Sequence, residues 1–119
     1  MNALKIEKIH TLVTVDDEYR ILHDVDVLIE DGKIAAVGEN LEAPAGARVL
    51  DIGADFRLKD PALWLQYYKK EHTAAGLLPE SVYGLVPFYR EALRGAQLVA
   101  VPGCYPISLI VPLDRKSVV

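Results

Sequence analysis

The chain has 119 residues, a net charge of −4 and 51% hydrophobic residues, enough for one modest globular unit or two small incomplete ones. The mild acidity and the absence of a Lys/Arg run argue against a nucleic-acid-binding face, and no apolar stretch approaches the roughly 20 residues of a membrane helix. Met1 to His10 lacks the apolar core of a signal peptide, and a single cysteine cannot form an internal disulfide, which fits a reducing cytoplasm.

In chain order, residues 1 to about 50 read as short strands. Thr11 to Val15 is rich in β-branched residues. Val25, Val27 and Ile29 alternate with Asp26, Leu28 and Glu30, the pattern of a half-buried strand. Asp31-Gly32 then precedes a second apolar run, Lys33 to Val37, and predicts a tight hairpin. Ala43-Pro44-Ala45-Gly46 predicts a loop, and Ala47 to Leu50 a last short strand. The acidic residues of this half read as a solvated face.

After residue 52 the period changes. Asp60-Pro61 predicts a helix N-cap and first helical position. Trp64, Tyr67 and Tyr68 share one face of a helix running to about Lys70. A loop containing Gly76, Pro79, Gly84 and Pro87 follows. Arg90 to Arg94 predicts a short helix closed by Gly95, Gln97 to Val101 a strand, and Tyr105 to Leu113 a buried helix after the Pro102-Gly103 break. The expected fold is mixed α/β, a β-rich front unit of about four strands followed by an incomplete α/β fragment. Stability should be poor for two partial cores in a chain this short.

The residue type best suited to chemistry is Cys104. It follows an apolar strand and a Pro-Gly turn, and it opens a helix. The partial positive charge and free N–H groups of a helix N-terminus favour a thiolate and can hold a developing oxyanion or a phosphate. That placement suits an acyl-transfer nucleophile. A small buried hydrophobe is the other reading of a free cysteine.

Five segments carry a resemblance: ADFRLKDP (Ala54 to Pro61), EHT (Glu71 to Thr73), VYGL (Val82 to Leu85), YREALRGAQLVA (Tyr89 to Ala100) and PGCYP (Pro102 to Pro106). In order and spacing, Asp51 to Leu113 resembles a central piece of N-acetyl-γ-glutamyl-phosphate reductase, an arginine-biosynthesis family of the aspartate-semialdehyde-dehydrogenase group. The resemblance implies that Cys104 attacks an acyl phosphate and expels phosphate to leave a thioester, which NADPH then reduces to a semialdehyde. It also implies a small-molecule acyl phosphate substrate, a cytoplasmic setting and a homo-oligomeric parent family, with no nucleic-acid or membrane partner. Two positions depart from the family. Ile107 stands where Thr is usual, and Tyr89 where Asn is usual. The Gly-rich strand–loop–helix of the family's NADP-binding domain is not found before residue 51, so an NADP(H) site is not expected in this chain. The family's catalytic histidine lies beyond its cysteine, past the last residue here. His10 and His23 belong to the other half, and His72 reads as a structural or surface histidine.

The front half resembles another family. Thr11 to Asp51 is similar to the N-terminal β-sandwich strands of the amidohydrolase superfamily, metal-dependent deaminases and hydrolases. The metal-binding His-x-His of that family does not occur, so no metal site is expected. Val49-Leu50-Asp51 suits both families and marks the junction. The organisation expected is an amidohydrolase-like segment over 1–51, a reductase fragment over 52–113 and a foreign tail over 114–119. The tail, Asp114 to Val119, resembles translated sequencing adapter, and the whole reads as a chimera made in sequence assembly. The function expected is that of a reductase fragment, inactive by itself. The alternatives are an amidohydrolase fragment without its metal site, or an artefact with no function.

Overall fold

A computed structural model describes residues 2–116. One six-stranded mixed sheet runs through the molecule, in the order β3-β2-β1-β4-β6-β5. Its front strands are β1 (Ala3–Val13), β2 (Ile21–Glu30), β3 (Lys33–Gly38) and β4 (Arg48–Asp51). The rear adds α1 (Pro61–Tyr68), a 3-10 turn (Ala75–Leu77), β5 (Val82–Tyr83), α2 (Val86–Gly95), β6 (Leu98–Ala100) and α3 (Cys104–Lys116). The fold is mixed α/β and β-rich at its N-terminal end, as the sequence predicts.

The front is a meander. β1 and β2 pair antiparallel from Ala3↔Glu30 to Val13↔Ile21, and β2 pairs antiparallel with β3. The second hairpin turns on Asp31 (φ 49°) and Gly32 (φ 79°), two consecutive left-handed residues that match the twist of the flanking strands. β1 is interrupted between Ile6 and Ile9, where Lys8 adopts φ 59°. The buried Asp26 carboxylate stabilises this bulge by accepting the Lys8 N–H at 3.1 Å. It also accepts the Leu41 N–H at 3.0 Å and pairs with Lys5 at 3.1 Å. The solvated acidic face expected of this half is therefore broken at Asp26 and at Asp51, both buried. Asp26 is drawn in because a bulge leaves a backbone donor that the ladder cannot satisfy.

β4 is the seam. It pairs parallel with β1 (Leu4↔Arg48 to Glu7↔Asp51) on one side and with β6 (Val49↔Leu98 to Asp51↔Ala100) on the other. β5 pairs parallel with β6 at the far edge. The two differently patterned halves thus share one hydrogen-bonded ladder.

Behind the seam, Phe56, Leu78 and Ala100 form a small core, with Ala74, Tyr83 and Leu98 packed against it. α1 begins where Asp60 accepts the Ala62 N–H at 2.8 Å, with Pro61 in the first turn. It ends at Tyr68, short of the expected Lys70, because Lys69 turns left-handed (φ 58°). Trp64 is buried and stacks on Tyr68 with ring centroids 3.9 Å apart, whereas Tyr67 points to solvent. α2 starts at Val86, ahead of the expected Arg90, and bends at Tyr89 (φ −120°, ψ 19°). α3 is not the buried helix its apolar composition predicts. Tyr105, Ile107, Leu109 and Leu113 are exposed, because no second layer lies over them among the described residues. Of the adapter-like tail, Ser117 to Val119 lie outside the described residues.

Candidate functional site

The site forms where the parallel strands end. After Ala100 closes β6, the Val101 N–H donates to the Asp51 carbonyl at 2.9 Å and extends the ladder by one rung. Pro102 has no N–H and stops it. Gly103 then turns the chain, and α3 opens on Cys104. Two glycines permit this close packing. A Cβ on Gly84 would sit 3.1 Å from Pro102 Cδ and 3.2 Å from the Ala100 carbonyl oxygen. A Cβ on Gly103 would sit 3.2 Å from Arg57 Nη1 and 3.4 Å from Pro106 Cδ.

Cys104 is a free, exposed thiol at the first position of the helix. Among the described residues nothing buries the thiol. The first-turn N–H groups of a helix have no intrahelical acceptor. Here Gly103, Cys104 and Tyr105 supply such donors, and Pro106 supplies none. The first helical bond closes from the Ile107 N–H to the Gly103 carbonyl at 3.3 Å.

Arg57, inside the ADFRLKDP segment, acquires a role only in the fold. Its Nε donates to the Val101 carbonyl at 2.8 Å and its Nη2 to the Ile52 carbonyl at 3.0 Å. Those two bonds tie the loop after β4 to the strand end after β6. They leave Nη1 beside Gly103, the residue next to the thiol. The guanidinium thus sets a positive charge next to the helix opening. A cleft bordered by Arg57, Lys59, Ser81, Tyr83 and Tyr89 runs alongside. Lys59 already donates to Leu78 and Ser81 oxygens, and desolvation of its ammonium lowers its proton affinity. Tyr89 stands edge-on to Tyr83 in that wall, with centroids 6.3 Å apart.

His72 has both ring nitrogens engaged by backbone groups. Its Nδ1 accepts the Ala74 N–H at 3.0 Å, so its Nε2 carries the proton donated to the Asp55 carbonyl at 2.6 Å. Its ring lies edge-on against Phe56 and Trp64. His10 and His23 sit on the β1–β2 ribbon, where His10 meets Asp24 at 3.1 Å and His23 meets the His10 carbonyl at 3.3 Å. Among the described residues, no group of three or more His, Cys, Asp or Glu side chains could hold a metal ion. No helix among them is long and apolar enough to cross a membrane.

Neither β1 nor the opening of α1 offers a seat for a dinucleotide. Its pyrophosphate needs a strand that feeds a helix through a Gly-rich turn. β1 feeds a hairpin instead. The opening of α1 is occupied by the Asp60 carboxylate, which satisfies a first-turn N–H and would repel phosphate.

Sequence comparison relates part of this chain to known proteins. The chain is 55% identical over 69 residues to N-acetyl-gamma-glutamyl-phosphate reductase of Halorhodospira halophila, covering 58% of this chain and 20% of that protein. Its identity to the reductase of Symbiobacterium thermophilum is 58% over 78 residues, 63% of this chain and 22% of the relative. Over most of its length, this chain is similar to N-acetyl-gamma-glutamyl-phosphate reductases. It spans about a fifth of the length of these curated relatives. No family model matches. Among solved structures, a triazine hydrolase variant matches 41% of this chain and 11% of its own at 39% identity, with a TM-score of 0.39. The triazine hydrolase from Arthobacter aurescens matches 43% and 11% at 37% identity, with a TM-score of 0.40.

Proposed function

We propose that residues 51–113 are the thiol-bearing part of an acyl-phosphate reductase and that Cys104 is its nucleophile. Cys104 Sγ, its proton released to solvent, attacks the acyl carbon. The electron pair of the carbonyl moves onto oxygen, where the first-turn N–H groups of α3 stabilise it. Collapse of that oxyanion breaks the bond to the phosphoryl oxygen, leaving a thioester on Cys104 and free phosphate. Arg57 Nη1 offsets charge on the thiolate and on the departing phosphate. The single observation that supports this reading most is the exposed thiol at the opening of α3 with Arg57 Nη1 against the preceding glycine. The identity of 55% or more to reductases supports the reaction class.

Reduction of the thioester would need a bound dinucleotide, and neither β1 nor the opening of α1 offers its pyrophosphate a seat. The 119 residues alone are expected to acylate without NADPH-dependent turnover. Alkylation kinetics test the nucleophile. With iodoacetamide at neutral pH, Cys104 should react faster than a free thiol in a short peptide, and Arg57→Met should slow it. A rate no faster than the peptide's removes the claim.

The same reading takes the front strands as a scaffold from an amidohydrolase-like sequence, joined to the reductase stretch at Val49-Leu50-Asp51 by sequence assembly. Amplification across codons 45–60 from source DNA should give no single product. A clean product carrying both halves contradicts this origin.

A further inference from the structure

Asp51 lies where β1, β4 and β6 meet, in register with Glu7 on one side and Ala100 on the other. Its side chain is fully buried, with 0% exposure. One carboxyl oxygen, Oδ1, accepts the Gly53 N–H at 2.9 Å. The other, Oδ2, is buried with no hydrogen-bond partner. A charge held there loses its solvation at that oxygen with no hydrogen bond in its place. The charged groups facing it are few. β1 presents Lys8 and Glu7, and the loop after β4 presents Asp55. The Lys8 ammonium is already paired with Asp55, and the β6 side presents Ala100 and, just after the strand, Val101, neither of them charged. Lys5 is likewise paired with Glu7 at 2.9 Å, so both nearby cations are committed to other carboxylates.

We propose that Asp51 is a proton-operated joint between the two halves of the chain: the seam closes fully on the neutral carboxyl and loosens when the carboxyl ionises. The backbone makes this consequential for the candidate site. The Asp51 carbonyl holds the Val101 N–H, and the next carbonyl, Ile52, holds Arg57 Nη2. Loosening at Asp51 frees both anchors that seat Arg57 beside the Cys104 turn. Burial pushes the Asp51 carboxyl above its ordinary value of 3.8, and this outweighs the pull of Lys8 and of the Gly53 N–H. A carboxyl raised in the folded state binds more protons folded than unfolded. Its stabilisation is therefore complete below pH 3.8 and is lost as pH rises through the folded value.

The test compares the full chain with Asp51→Asn, which keeps the shape and places a neutral amide at the Oδ2 position. The folded-to-unfolded ratio is read from urea titrations at intervals between pH 4 and pH 7. The native chain should lose stability with rising pH by at least severalfold more than Asp51→Asn does. Equal slopes for the two proteins overturn the proposal. Where Asp51→Asn fails to fold, carbon-13 NMR of the native side-chain carboxyls decides. One aspartate assigned to position 51 should titrate above its ordinary range. A midpoint within that range overturns the proposal.

Discussion

The two sides of β4 are stabilised in different ways. In front, strands of 11 and 10 residues pair along their length, and a two-residue turn sets the register of the second hairpin. Behind, the strands have 2 and 3 residues, and order rests on side chains gathered from distant positions: Phe56, Leu78 and Ala100 in one cluster, Trp64 and His72 beside it. A hairpin satisfies most of its backbone locally, so it needs little from the rest of a protein. In an α/β fold each helix buries one apolar face against the sheet or a further layer. Where that layer is missing, α3 turns apolar side chains to solvent. It is also interrupted by Pro112, whose absent N–H leaves the Ser108 carbonyl without its helical donor.

The contrast can be broken first at the rear core. Leu78→Ala empties a site only 1% exposed and should cost about 2–5 kcal/mol, enough to unfold the rear of a marginal chain. Amide exchange should then accelerate at Val99 and Ala100 while β2 keeps its protection; uniform loss in both halves would mean that they unfold as one unit. Next in size is Asp26→Ala, which leaves the Lys8 and Leu41 N–H groups and the Lys5 ammonium without their shared partner. Urea denaturation should show a loss of about 3 kcal/mol, centred on the front. Asp60→Ala removes one cap from α1 and should lower stability by about 1 kcal/mol, seen as a small drop in helical circular dichroism. The smallest effect belongs to Leu109→Lys. Its side chain is 61% exposed, so the change in stability should stay within about 0.5 kcal/mol. A larger loss would show that α3 is covered in solution.

Local features were readable from residues alone. Asp31-Gly32 predicts its turn because two left-handed residues in a row favour that pair. Asp60-Pro61 predicts the start of α1, and Pro102-Gly103 the break before Cys104. Features that depend on distant partners were not readable. The parallel seam joins β4 to β1 and β6, which lie far from it in the sequence. The Lys8 bulge is set by Asp26 across the strand, with no Gly to announce it. α2 begins early because Leu85 and Pro87 can start a turn without a polar cap. Apolar composition made α3 look buried, but burial is a property of what lies above a helix. At the site, Cys104 was legible from its neighbours in sequence. Arg57 was not, since only the folded loop brings it to the glycine beside the thiol.

Acyl transfer to the thiol is the most direct test. Purified chain is mixed with N-acetyl-γ-glutamyl phosphate, quenched in acid, and followed by intact mass and by released phosphate. One acyl group should appear on Cys104 with an equal amount of phosphate, and the Cys104→Ser chain should give neither. Phosphate release at the same rate from both chains, with no acylated protein, would contradict a nucleophilic role for Cys104.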